Sequence, residues 1–245
     1  MKMKMPCQDY LTLDETEKLI NRLELWPKLL RRQQEERIVG LVGIEQEWID
    51  AEKDKFFADK DEMEYMNARS WEKQDLELHI SLPEALFRFA KQRFGPGVEE
   101  TFLASKGSKD QVIYSLLRVR DRGLARELWI RLEEGEITFA EAAQRFSEGA
   151  ESHRKGVLGP MPIGLLQPPE MVAWLRALKP GELMAPRPIG EWHVLLRLEQ
   201  LSPAKLDEDM RKVLLKEKLD NFLSQRVELL LSGKNLEPLH YDQDS

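Results

Sequence analysis

The sequence has one cysteine, Cys7, and four histidines, at positions 79, 153, 193 and 240. A single cysteine allows no disulfide within the chain and no metal site built on several thiolates. The histidines share no short metal-ligand spacing, so no metal and no cofactor is expected. A G-x-S-x-G turn is missing, which leaves serine hydrolysis without support, and so is the G-x-x-x-x-G-K-[ST] phosphate loop. No run approaches the roughly 18 apolar residues of a membrane span. The opening MKMKMPCQDY has lysines but no apolar segment behind them, unlike a secretory signal. An excess of basic residues is also missing: 44 acidic residues face 37 basic ones, a net charge of −7. Neutralising phosphates needs a basic face, so nucleic acid is not an expected partner. These absences together predict a cytoplasmic protein that engages neither nucleic acid nor a membrane.

What is present is a globular composition, 42% hydrophobic and 33% charged, long enough for one large or two modest cores. Residues 12–105 read as helices. Thr12 and Glu15 form a capping box ahead of Leu19, Ile20, Leu23, Trp26, Leu29 and Leu30. A second helix is predicted over about 34–57, weakened at Gly40 and Gly43. The acidic stretch 58–71 suits either a helix or a loop. Ser81 and Glu84 make a further capping box, with Pro83 in the first turn, for a helix that ends near Gly95.

At Asp110 the pattern changes. VIYSLLRV, 112–119, suits a buried strand, and a helix closed by Gly135 follows it. Thr138 and Glu141 cap the next helix, which is expected to close at Gly149. The segment KGVLGPMPIGLLQPPEM, 155–171, is too punctuated for a helix and too apolar for an ordinary loop. Two of its prolines remove amide donors that a phosphate cradle would need. A short helix PEMVAWLRAL and two strand-like pieces, 183–187 and 192–199, come next. Residues 206–231 give the clearest helix, with Met210, Val213, Leu214, Leu219, Phe222, Leu223 and Val227 along one stripe. The end, HYDQDS, is polar and expected to be loose. Both helical flanks are amphipathic and each needs an apolar partner. The expected fold class is therefore α+β: a small antiparallel sheet with helices, inserted in a mainly helical domain formed by both chain ends. The expected boundaries are a helical domain over 1–109, the sheet-containing domain over 110–202, and a long helix with a tail over 203–245.

The central unit resembles the parvulin-type (PpiC, rotamase) peptidyl-prolyl isomerases. The resemblance is carried by Phe139, Ala143, Phe146 and Ser147, then Gly156, Leu158 and Gly159 as G-x-L-G. Ala177, Leu178, Gly181, Glu182 and Pro186 continue it, followed by His193, Val194, Leu195 and Leu198. It spans about 111–200 and looks like the bacterial form, without the basic insertion of the phospho-specific type. The helical flanks resemble chaperone-foldases of the SurA and PrsA kind, and the acidic N-terminal helices resemble cyanobacterial members.

The resemblance implies a foldase that isomerises X–Pro bonds of polypeptide clients, unfolded or nascent, with no cofactor. Such a site needs no nucleophile. It needs an apolar pocket and a few groups that favour the twisted amide. By position, His193 matches one of the family's two histidines, and Ser115 stands where the other is usual. Gly149 occupies the place of a cysteine or aspartate. Met161, Leu165, Leu166 and Met171 are the candidates for the proline pocket, with Gly149 beside them. So reduced a polar set implies a weak catalyst. The alternative is a parvulin fold without turnover, serving as a peptide-binding chaperone or scaffold.

Overall fold

The computed structural model describes residues 11–243; Cys7 lies outside them. The described residues divide into two compact units, those up to 99 with those from 207 on, and residues 100–206. A sheet-containing unit is thus inserted in a helical unit made from both ends of the chain, the fold class expected from the sequence.

The helical unit contains α1 (Leu13–Arg22), α2 (Trp26–Val42), α3 (Gln46–Phe56), α4 (Glu62–Arg69), α5 (Lys73–Phe94) and, from the far end of the chain, α10 (Glu208–Leu231). Thr12 caps α1 in the expected box with Glu15. The helix expected over 34–57 is two helices. α2 stops at Gly43, whose φ of 63° no ordinary residue adopts cheaply, and α3 starts at Gln46. The acidic stretch is largely helical, as α4. The boundary expected at Ser81 is absent. α5 begins at Lys73, with a box between Glu72 and Asp75, and runs straight through Pro83. Leu76 and Ile80 before that proline are buried against Ile49 of α3, and Ala85 and Phe89 after it are buried as well. Burying them outweighs the single helical hydrogen bond that Pro83 removes. Ser81, freed of a capping role, donates to the Leu78 carbonyl. α2, α5 and α10 pack together, with Ile38, Phe89, Leu214 and Leu223 at full or near-full burial. Arg226 of α10 is buried there and donates from Nε to Gln34 Oε1 of α2 at 3.0 Å. The tail is tied rather than loose at Asp242, which exchanges two hydrogen bonds with the Gln92 side chain.

α6 (Val98–Lys109) leads into the second unit, which comprises β1 (Gln111–Val119), α7 (Arg122–Glu133), α8 (Phe139–Phe146), β2 (Val157–Pro162), α9 (Glu170–Ala177), β3 (Leu183–Ile189) and β4 (Trp192–Ser202). The sheet is antiparallel, in the order β2-β1-β4-β3. α8 carries the expected Thr138–Glu141 box but ends at Ser147, not Gly149. The glycine- and proline-rich segment is not a loop throughout: β2 lies within it as an edge strand, where prolines are tolerated because one side needs no ladder donors. Both faces of the sheet are covered. Leu117, Val119 and Leu195 pack with α7 and α8 through Ala125, Leu128, Phe139 and Ala143. Val112, Tyr114, Leu196 and Leu198 pack on the other side with Leu166, Met171 and Leu175.

Candidate functional site on the α9 side of the sheet

The G-x-L-G turn has a steric cause. Gly156 and Gly159 have φ of 82° and 103°. A Cβ at Gly156 would meet Ala143 Cβ at 2.8 Å, and one at Gly159 would run into the Val112 carbonyl. Only glycine lets β2 approach β1 this closely. The turn thereby sets Leu158 opposite Tyr114, facing the same cluster as Leu116.

Leu116 of β1, Leu196 of β4 and Met184 of β3 are directly paired across the sheet, so they project to one side as a row. α9 covers the neighbouring part of this face through Met171 and Leu175. It leaves Leu116, Leu158 and Met184 only partly buried. The next row along is Arg118, Val194 and Arg187, again directly paired. An apolar strip thus ends against cationic side chains.

Arg118 anchors that end. Its Nη2 donates to Glu151 Oε2 at 2.9 Å, and Glu151 Oε1 accepts from Ser147 Oγ at 2.6 Å. The Glu151 side chain is 3% exposed and that of Arg118 34%. The Arg118 backbone is tied as well, to Ser147 Oγ through N and to Glu148 N through O. Its Nε is buried without a partner. The guanidinium lies 5.6 Å from the Trp192 ring, which Arg120 also approaches, at 4.3 Å, while bonded to Glu148 and Glu191. Burial, followed by the Glu151 carboxylate, pushes the Tyr114 phenol above its ordinary pKa, so it stays neutral.

The family model for the rotamase PPIC-type PPIase domain matches residues 119–200. The central unit is a PPIC-type peptidyl-prolyl isomerase domain. No curated protein matches the sequence. Among solved structures, the peptidylprolyl isomerase PrsA of Bacillus anthracis is 19% identical, with 86% of this chain and 100% of that one covered at a TM-score of 0.49. The foldase protein PrsA of Streptococcus pneumoniae is 13% identical, covering 97% and 96%, at 0.47. A SurA-like chaperone of Campylobacter jejuni is 15% identical, covering 97% and 100%, at 0.37. The assignment rests on the family match and on the sheet itself.

Within the PPIC-type domain the residues expected to form the site do not converge. His193 pairs with Val119 and Ser115 with Arg197, four positions apart along β1, about 13 Å at strand rise. Both alternate with Leu196 and Leu198 onto the α7 and α8 side. There His193 lines a cavity with Arg122, Arg126, Trp129 and Pro188, and Ser115 Oγ donates to Glu199. Neither faces Leu166 or Met171. These two are 3% exposed and serve as core rather than as an open pocket. Met161 is partly buried on β2, and Leu165 is 69% exposed on the turn after it. At Gly149 a side chain would fall inside the Arg118 guanidinium. The position where a cysteine or aspartate is usual is therefore filled from β1. Arg118, Glu151, Leu116, Met184 and Trp192 stand in no motif of the sequence. One signal was visible: Arg118 is the only charge within VIYSLLRV.

Proposed function

We propose that the chain is a peptidyl-prolyl cis-trans isomerase of polypeptide clients, with its X–Pro site on the strip formed by Leu158, Leu116 and Met184. The observation that supports this placement is the partly open apolar row ending on Arg118. The prolyl ring needs apolar contact, and the twisted amide exposes a nitrogen lone pair that a donor can stabilise. The Arg118 guanidinium, held by Glu151, supplies a fixed donor beside the row. Lowering the rotation barrier by about 5–6 kcal/mol turns tens of seconds into milliseconds, within reach of shape and one or two hydrogen bonds.

Protease-coupled isomerisation of a panel of X–Pro peptides tests the reading. Leu116→Glu and Arg118→Ala should each lower kcat/KM by about tenfold or more, and His193→Ala should leave it unchanged. If His193→Ala alone abolishes turnover, the site is not on this face. A second reading, peptide binding without turnover, is favoured by Gly149, which brings no side chain of its own to the site. Activity equal to buffer across the panel, with peptide still bound, would select it. The cytoplasmic location expected from the single cysteine is kept as part of the proposal, and cell fractionation checks it.

A further inference from the structure

The helical unit carries a trough between α5 and α10. Two cavities, of about 930 and about 400 Å³, lie side by side and share Phe87, Lys212 and Leu215. The floor is apolar, from Leu86, Phe87 and Ala90 on α5 and Leu215 and Leu219 on α10. It follows α10 from Glu208 to Asp220, about 18 Å at the helical rise, which spans roughly five residues of extended chain.

The lining carries more basic than acidic side chains, in a chain of net charge −7: Arg31, Arg88, Lys91, Arg211, Lys212 and Lys216 against Glu208 and Asp220, the last paired with Arg31. Arg88 and Arg211 are held by carboxylates, Glu45 and Glu84 for the first and Glu99 for the second. Lys91, Lys212 and Lys216 are exposed, and the carboxylate paired with Lys212 is that of Asp209, 4.0 Å away. These three ammonium groups border an apolar floor.

One end of the trough already holds a piece of chain. Tyr241 and Gln243 line it. Between them, Gln92 Nε2 donates to the Asp242 carbonyl at 2.7 Å, and the Asp242 amide donates back to Gln92 Oε1 at 3.0 Å. A side-chain amide that bonds both backbone groups of one residue acts as a strand neighbour would. It reads extended backbone, whatever the side chain. The residue held this way, Asp242, is acidic.

We infer that the trough is a binding site for extended polypeptide segments that combine apolar and acidic residues, and that residues 241–243 occupy its end as an internal competitor. The inference rests on the reading that this chain acts on polypeptides, and it does not depend on isomerase turnover. Gln92 selects extended backbone, the floor selects apolar side chains, and the lysines select negative charge.

Fluorescence anisotropy with two labelled dodecapeptides tests it: one alternates Leu or Phe with Asp or Glu, the other carries Lys in place of the acids. The full chain should bind the acidic peptide about tenfold or more tighter than the basic one, and less tightly as salt rises from about 50 to about 500 mM. Removing residues 241–245 should tighten binding about three- to tenfold, because both Gln92 bonds become free for the client. Lys91→Glu with Lys216→Glu should reverse the preference. Both lysines are exposed, so folding is not at stake, and Lys91→Gln with Lys216→Gln should erase the preference without reversing it. No binding, equal binding of the two peptides, or an unchanged affinity after truncation overturns the proposal. X–Pro turnover measured on a short peptide with the same preparations separates the two failures. Its loss speaks against the isomerase reading and leaves the trough standing.

Discussion

The guanidinium of Arg118 fills the space that a side chain at Gly149 would need. The two positions are linked by folding rather than by sequence distance: Arg118 ends a strand and Gly149 follows a helix 31 residues later, and Glu151 holds the cation between them. Introducing the missing side chain is therefore not a repair. Gly149→Cys should push Arg118 out and leave the buried Glu151 carboxylate with only the Ser147 hydroxyl and no cation. Breaking a fully buried pair costs about 3–5 kcal/mol, and the partial exposure of Arg118 reduces this to about 1–3 kcal/mol. Urea unfolding gives the number. A change below about 0.5 kcal/mol would mean that Arg118 swings aside freely.

Gly159→Ala should destabilise the protein by about 2 kcal/mol or more. A left-handed φ of 103° and a Cβ aimed at the Val112 carbonyl act together, and the carbonyl belongs to the backbone and has nowhere to go. Thermal unfolding should show a clear loss. Gly190→Ala, positive in φ at 58° but open in space, should lose less. Equal losses at the two sites would refute the close-approach argument.

Stability should fall as pH drops below about 6.5 through His79. Its pKa is lowered in the folded state, first by burial and then by the charges of Arg32 and Arg69. The unfolded chain therefore binds a proton at a pH where the folded one does not, and stability rises with pH across that window. The ring packs edge-on or tilted against Phe56, Tyr65 and Trp71. His79→Phe keeps an aromatic there, so the stability–pH curve between about 5 and 7 should flatten without a large loss at pH 7.5. An unchanged slope would place its origin elsewhere.

Deleting residues 206–245 removes α10 and uncovers the apolar faces of α2 and α5. Leu214, Leu219, Leu223 and Val227 each contribute about 1.5–3 kcal/mol by burial, and Arg226 would leave Gln34 buried without its donor. The shortened chain should self-associate in sedimentation and melt at lower temperature. A monomer of undiminished melting temperature would show that the N-terminal helices close on themselves.

Much of this protein is written locally. The boxes at Thr12 and Thr138 and the change of pattern at Asp110 each depend on residues a few positions apart, whose backbone demands are visible in the letters. Pro83 shows the complementary case. A proline marks a helix start when only its missing amide is weighed. Leu76, Ile80, Ala85 and Phe89 outweigh that amide only once α5 has α2, α3 and α10 to pack against.

The site shows the same division. The sequence by itself determined that residues from about 111 to 200 resemble the PPIC type and that strands lie near 112–119, 183–187 and 192–199, because spacing between short blocks survives without coordinates; β2 is hidden by its glycine and prolines. It did not determine which face each strand residue takes. VIYSLLRV is apolar at six of its eight positions and WHVLLRLE at five, with apolar residues on both faces because both are covered, so the alternation that reveals a strand's inner side is blurred. Only the tertiary structure decided that His193 and Ser115 look toward α7 and α8, that Leu166 and Met171 are core, and that Arg118 stands where Gly149 left room. In a strand, one residue of register exchanges the two faces completely, and that register was settled by partners far away in the chain.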